Sequence, residues 1–226
     1  MIRIKICGLT TLDDALMCAD AGVDMLGLNF YPPSPRYLAP DAAQQIAYDL
    51  RLALGDHCPL LVGVFVNLSV SEITRIMQAV GLDAAQLSGD ESEVVLAGLD
   101  GRGFKAIRPR SRAEAVEDAA VYLKYAPQGE ELPSILVDAY HKDLYGGTGE
   151  QASVEVARAV KEIAPRMMLA GGLTPDNAAD RVRVIQPWGV DTASGVESQP
   201  GIKDLARVHD FVAAVRETQP GDGLHD

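Results

Sequence analysis

Leu60-Leu61-Val62-Gly63-Val64-Phe65-Val66, running into Asn67-Leu68-Ser69-Val70-Ser71-Glu72 and on to Ala84-Ala85-Gln86-Leu87, decides the architecture. The first stretch is an almost unbroken aliphatic run, the pattern of a strand covered on both faces. Ser69 and Glu72 have the spacing of a capping box, in which a hydroxyl and a carboxylate satisfy the open amides of a helix start. Val70, Ile73, Met77 and Val80 then recur three to four residues apart and give that helix one apolar face. The short apolar run at 84–87 completes a strand–helix–strand unit, the building block of parallel sheets.

The same rhythm continues in both directions. Runs at 2–6, 25–29, 60–66, 84–87, 104–107, 134–138, 167–170 and 188–192 are predicted as strands. Ser111 and Glu114 repeat the capping-box spacing, and Thr174-Pro175 places a cap before a proline that needs no N–H at the first helical position. Leu205, Val208, Val212 and Val215 predict the apolar face of a final helix. Eight strands alternating with helices predict an α/β fold, a single-domain (β/α)8 TIM barrel, over an open doubly wound sheet. The barrel is expected over residues 1–218. The polar, glycine-containing stretch 219–226 is expected to be a flexible tail.

Composition narrows the function classes. Hydrophobic residues make up 47% of the chain and charged residues 23%, which excludes wholesale disorder. The formal net charge of −12 opposes polyanions and anionic lipid, so no nucleic-acid or membrane partner is expected. An anionic small molecule remains compatible, because a local pocket can oppose the global field. Cys7, Cys18 and Cys58 are too few and too scattered for a disulfide framework. Neither a Cys-x-x-Cys pair nor a His-Glu-x-x-His motif is present, so no metal site is expected. The amino terminus lacks the apolar core of a signal peptide, and no apolar run approaches ~18 residues, so a cytoplasmic protein is expected. Oligomeric state is not legible, since the apolar helix faces are explained by packing within the barrel.

In such a barrel the chemistry sits at the carboxyl ends of the strands. Cys7 ends the first strand. It reads either as a base or nucleophile aimed into the mouth, or as a small buried residue. Cys18 and Cys58 read as packing residues. Asp138 closes the run Ile135-Leu136-Val137. A desolvated carboxyl there holds a proton near neutral pH, whereas the alternative is a cap on the loop that follows. Arg36, in the proline-stiffened Tyr31-Pro32-Pro33-Ser34-Pro35-Arg36-Tyr37, reads as a clamp for a substrate carboxylate or as a solvated side chain. Gly171 and Gly172 follow the seventh strand, and Ser194 and Gly195 follow the eighth. Their backbone amides form a candidate phosphate cradle that needs no lysine. His141, in the glycine-rich loop after Asp138, offers a Cys–His pair with Cys7 only if that loop folds over the mouth.

At these residues the chain resembles the phosphoribosylanthranilate isomerases. The resemblance rests on Lys5-Ile6-Cys7-Gly8-Leu9-Thr10, Phe30 through Tyr37, Gly63-Val64-Phe65-Val66-Asn67, Gln86-Leu87-Ser88-Gly89-Asp90-Glu91, Asp138 with Tyr145-Gly146-Gly147-Thr148-Gly149, Leu169-Ala170-Gly171-Gly172-Leu173, and Gly189-Val190-Asp191 through Glu197. It implies an Amadori rearrangement in tryptophan biosynthesis, with no cofactor and no metal, on a small anionic phosphosugar. N-(5-phosphoribosyl)anthranilate becomes 1-(2-carboxyphenylamino)-1-deoxyribulose 5-phosphate. By motif, Cys7 matches the general base and Asp138 the general acid. Arg36 matches the arginine that meets the anthranilate carboxylate. Gly171, Gly172, Ser194 and Gly195 match the phosphate site, and Asp191 an aspartate near the sugar hydroxyls. The base role also predicts some lowering of the Cys7 pKa, since an ordinary thiol is only a few per cent ionised near pH 7.

Three features depart from the family pattern. Ser88 replaces the usual histidine, which makes it a packing or hydrogen-bonding residue. Thr192-Ala193 replaces the usual Val-Ser, and residues 125–133 form a longer loop. Two other readings compete. One is a related isomerase of histidine biosynthesis, which uses paired aspartates and is disfavoured by Cys7. The other is a non-catalytic phosphosugar-binding barrel, disfavoured because the cysteine and the aspartate are both present.

Overall fold

A computed structural model describes residues 1–138 and 153–218. Eight parallel strands close into a barrel in chain order: β1 (Arg3–Cys7), β2 (Met25–Asn29), β3 (Leu60–Phe65), β4 (Ala84–Leu87), β5 (Gly103–Ile107), β6 (Ile135–Val137), β7 (Met167–Leu169) and β8 (Gly189–Thr192). Each predicted strand is present, with ends shifted by at most one residue. Closure comes from β1 pairing with β8, with Lys5 opposite Asp191. The predicted tail, His141 and the glycine-rich loop at 145–149 lie outside the described residues.

Helices α1 (Leu12–Asp20), α2 (Pro40–Leu54), α3 (Val70–Val80), α4 (Glu93–Ala97), α5 (Arg112–Tyr122), α6 (Val154–Ile163), α7 (Pro175–Ile185) and α8 (Leu205–Arg216) surround the sheet. The period-two alternation of each strand divides its side chains between two cores. Ile4, Ile6, Leu26, Leu28 and Val190 face outward to the helices. Met25, Val62, Ala84, Phe104, Leu136 and Met168 fill the barrel interior. By the same alternation Lys5, Cys7 and Asp191 point inward, which places three ionisable groups on the inner face of the barrel at the β1–β8 seam.

The helix starts follow the sequence with one correction. Ser69 and Glu72 form the complete reciprocal box at α3. Ser111 accepts from the Glu114 amide, but the Glu114 carboxylate accepts from the Arg110 N–H rather than from that of Ser111. Arg110 also offers its guanidinium, so the carboxylate reaches one residue further back. At α7, Pro175 opens the helix and Asn177 accepts from the Thr174 amide.

A second correction concerns α8. Leu205 is 55% exposed, and Phe211 takes its predicted place in the core beside Val208, Val212 and Val215. The buried stripe of α8 therefore starts at Val208 rather than at the first helical residue. The 125–133 stretch is pinned by Arg166, which donates to the carbonyls of Leu132 and Pro127. Between the sheet and the helices, Lys105 is buried against Glu91 at 2.7 Å and also donates to Gly89 O. Glu91 accepts in turn from the Asn67 and Gly89 amides, so one buried pair fixes the turns after β3 and β4.

The reassigned face of α8 is open to measurement. Phe211→Ala is expected to cost ~3–5 kcal/mol of unfolding free energy, as for other buried aromatics. Leu205→Ala should stay within about 0.5 kcal/mol. Urea unfolding of the two variants decides, and equal losses would restore the face read from the sequence.

Candidate active site

The strand ends and the loops behind them line a cavity open to solvent. Cys7, Arg36, Asp138, Gly171, Gly172, Asp191 and Ser194 all line it. Gly195 lies just behind, where a Cβ would stand 1.8 Å from Leu173 O. The loops after β7 and β8 therefore touch through backbone alone, and Thr192 Oγ1 ties them further by donating to Leu173 O at 2.7 Å. Gly171 and Gly172 both have left-handed φ, +88° and +60°, which an L side chain would resist. Neither amide donates to a backbone acceptor among the described residues. This corner thus presents N–H groups at the start of α7, as its glycines suggested.

Arg36 is buried, but its fork is already filled. Nε donates to Glu197 Oε1 at 2.8 Å and Nη2 to Oε2 at 2.7 Å. The expectation of an unengaged two-bond clamp is corrected accordingly. The side-on edge of the guanidinium belongs to Glu197. The end-on edge through Nη1 has no partner among the described residues. Ser34 Oγ accepts from the Arg36 amide and from Asn29 Nδ2, which stiffens the loop beyond what its prolines do. Gly8 makes room for the arginine stem, since a Cβ there would lie 2.4 Å from Arg36 Cδ.

Glu197 also meets Lys203, at 2.8 Å. The Lys203 ammonium donates further to Cys7 O at 2.7 Å and Ala193 O at 3.2 Å. Lys203 belongs to a short hairpin, β9 (Glu197–Gln199) with β10 (Ile202–Lys203), that follows the barrel's last strand. Burial pushes the Glu197 carboxyl up. The hydrogen bonds and charges of Arg36 and Lys203 prevail and hold it below the usual glutamate range.

The expected lowering of the Cys7 thiol is not found. Burial outweighs the neighbouring cations Lys5 and Lys203 and pushes its pKa up, and the Asp191 charge adds to that push. Cys18 packs in the core as expected, with burial raising its thiol to about 12. Asp138 lies one residue past β6, half-buried at the rim, and its amide donates to Ile107 O at 3.0 Å. It is less enclosed than its position after an apolar run implied. Asp191 is buried, with Oδ1 accepting from Lys5 at 2.9 Å.

Sequence reading does not single out Lys5, Glu197, Lys203 or Gln86. Lys5 had a signal, because it shares the face of Cys7 two residues away. Glu197 and Lys203 had none, since their pairing depends on a hairpin closed by tertiary contacts. Gln86 lines the cavity and donates to Ser88 Oγ at 3.1 Å, while its buried Oε1 has no partner among the described residues. Ser88 is the hydrogen-bonding residue expected at that place. Among the described residues, no group of His, Cys, Asp and Glu side chains has metal-site geometry, and no helix is long and apolar enough to cross a membrane.

A closed parallel barrel with ionisable groups at its strand ends and open amides behind β7 defines the class: a (β/α)8-barrel enzyme with its site at the carboxyl-terminal mouth. The family model for N-(5'-phosphoribosyl)anthranilate isomerase matches residues 4–214, and the chain belongs to that family. The isomerase of Chlorobaculum parvum is 41% identical over 224 residues, covering 96% of each chain. That of Magnetococcus marinus is 42% identical over 223 residues, covering 99% of each. Among solved structures, the Thermotoga maritima isomerase superposes with a TM-score of 0.83 at 30% identity, over 96% of this chain and all of that one. An isomerase solved in complex with reduced 1-(o-carboxyphenylamino)-1-deoxyribulose 5-phosphate gives a TM-score of 0.80 at 30% identity.

The Glu197 network carries a pH signature. A carboxyl whose folded pKa is lowered stabilises the fold fully above its unfolded value, 4.5, and loses that contribution as pH falls through the folded value. Glu197→Gln should therefore cost ~3–5 kcal/mol at pH 7, the range for breaking a buried pair. The gap to wild type should narrow below pH 4.5. Urea titrations from pH 7 to 3 check this, and a constant gap would show that the charge is not what stabilises.

Proposed function

We propose that this chain converts N-(5'-phosphoribosyl)anthranilate to its 1-deoxyribulose isomer, with Cys7 as general base and Asp138 as general acid. The observation that carries this reading is the order of groups around the mouth. Glycine amides after β7 and the Ser194–Gly195 turn after β8 stand on one side, Cys7 on β1 comes next, and Arg36 after β2 follows. The substrate has the same order: a phosphate, the reacting sugar carbons, then an aryl carboxylate. The phosphate meets Gly171, Gly172, Ser194 and Gly195, and the carboxylate meets the end-on edge of Arg36. Asp191 Oδ2, which takes no hydrogen bond from the described residues, accepts from a sugar hydroxyl. A role in tryptophan biosynthesis and a cytoplasmic setting accord with this substrate.

Asp138 donates its proton to the furanose ring oxygen. The C1–O bond breaks, and the anthranilate nitrogen lone pair closes a C1=N iminium. Cys7, as thiolate, then removes the proton on C2. The C–H electron pair forms a C1=C2 bond and the iminium electrons return to nitrogen. Loss of the 2-hydroxyl proton with protonation of C1 leaves a ketone at C2 and a methylene at C1. C2 is oxidised and C1 reduced, so no external redox partner is required. The iminium acidifies the C2–H, which is why a thiolate is basic enough.

The test is loss of phosphoribosylanthranilate fluorescence on purified protein, with and without chelator, and equal rates are expected. Cys7→Ser and Asp138→Asn should each lower kcat by about 10²–10⁴-fold with the unfolding midpoint unchanged. More than a tenth of wild-type kcat in either variant removes that residue from the mechanism. Arg36→Lys keeps a cation for Glu197 but loses the planar edge, so KM should rise well over tenfold with kcat little changed. A substrate lacking the aryl carboxylate should be indifferent to that change. Equal damage with both substrates would make Arg36 structural.

A further inference from the structure

Lys5 precedes Cys7 by two residues on β1 and is used by no step above. Its side chain is fully buried in the barrel, against Asp191 at 2.9 Å across the β1–β8 seam. On the other flank, Nζ and the Cys7 sulfur converge over Gly27 of β2. A Cβ at Gly27 would lie 3.1 Å from Nζ and 2.8 Å from Sγ. Glycine leaves the space in which the ammonium and the sulfur stand side by side. The packed barrel interior beneath them is apolar, with Met25 and Met168 among its fillers.

A thiolate alone in such a floor is strongly disfavoured, and an adjacent cation is what makes it attainable. The charged groups facing Cys7 can be taken element by element. Lys5 lies on its own strand and Asp191 on β8. Lys203 approaches from β10, Arg36 from the loop after β2, and Asp138 and Arg108 line the cavity from β6 and β5. Lys203 and Arg36 both face Glu197. Lys5 is the cation whose nitrogen shares the space beside the sulfur.

We propose that Lys5 is a positioning residue for the isomerisation: its buried ammonium, set beside the Cys7 sulfur, eases formation of the thiolate that the base must become, and Asp191 anchors that ammonium. The inference rests on the assignment of Cys7 as base. Burial drives the thiol up while Lys5 pulls it down, and Asp191 and Cys7 both favour the charged form of Lys5. Lys5 and Asp191 therefore act on the sulfur in opposite directions.

The experiment is alkylation of Cys7 by iodoacetamide across pH 6–10 in the intact protein without substrate, read by peptide mass analysis so that Cys18 and Cys58 are counted apart. Lys5→Met should slow Cys7 alkylation at least about tenfold at any pH below the midpoint, a shift of one pH unit or more. Asp191→Asn should speed it. Lys5→Met/Asp191→Asn removes both charges with little change of shape, so it keeps the fold even if the single lysine variant does not, and its profile should also move up. The kcat/KM profile of each folded variant with detectable activity should follow its alkylation profile. Coincident alkylation curves for wild type and the double variant would overturn the proposal. A shifted curve together with an active Cys7→Ser would instead overturn the base assignment and leave the hold of Lys5 on the sulfur standing.

Discussion

The buried ammonium of Lys203 is the contact on which the mouth of the barrel depends. It donates to the carbonyl of Cys7, to the carbonyl of Ala193 and to Glu197, and its side chain is wholly out of solvent. A single cation thereby fixes the end of the first strand, the turn after the last strand and, through Glu197, the guanidinium of Arg36. These three pieces are far apart in sequence, and the barrel closes between them. Removing the charge would leave a buried carboxylate and two carbonyls with fewer donors, a large penalty in a low-dielectric site. The groups that define the site are thus held by a residue that does not line it.

The interior shows the complementary arrangement. Barrel cores are normally filled by aliphatic layers, and β2 to β7 follow that rule with Met25, Val62, Phe104 and Met168. Only at the β1–β8 seam does the layer become ionic, with Lys5 and Asp191 beneath the sulfur of Cys7. A buried pair of this kind contributes little net stability compared with an apolar replacement. Its placement directly under the proposed base gives it a chemical reason instead.

Much of this was legible in the chain, for identifiable reasons. Parallel strands covered on both faces read as continuous apolar runs, so 60–66 and 134–138 located β3 and β6 to within one residue. Residues that end those runs fall at the mouth by topology, which is how Cys7, Asp138 and the Gly171–Gly172 pair were placed in one cavity. What was not legible depended on contacts between distant segments. Arg36 looked like an open clamp because nothing in its loop reveals that Glu197, 161 residues later, fills its fork. The base role alone predicts a lowered Cys7 thiol, and no local residue pattern tells how deeply the sulfur sits; in the fold, burial is the largest influence and pushes it up. Leu205 fits the helical period as well as Phe211 does, and only the packing of the folded chain, which leaves the first exposed and buries the second, separates them.

The glycines of the sheet bear on how such a chain tolerates being made more rigid. Replacing glycine by alanine commonly stabilises a protein by ~0.4–1 kcal/mol, because the unfolded chain has fewer conformations to lose. Here that route is closed at the strands. A methyl at Gly27 would strike Cys7 Sγ, at Gly63 the side chains of Leu82 and Phe65, at Gly103 that of Leu99, and at Gly189 the carbonyl of Arg3. Gly129 has neither a left-handed φ nor any atom within 4 Å of the added carbon. The entropy of the denatured chain can be trimmed there, on the surface before β6, while the barrel wall must keep the very residues that cost it most to fold.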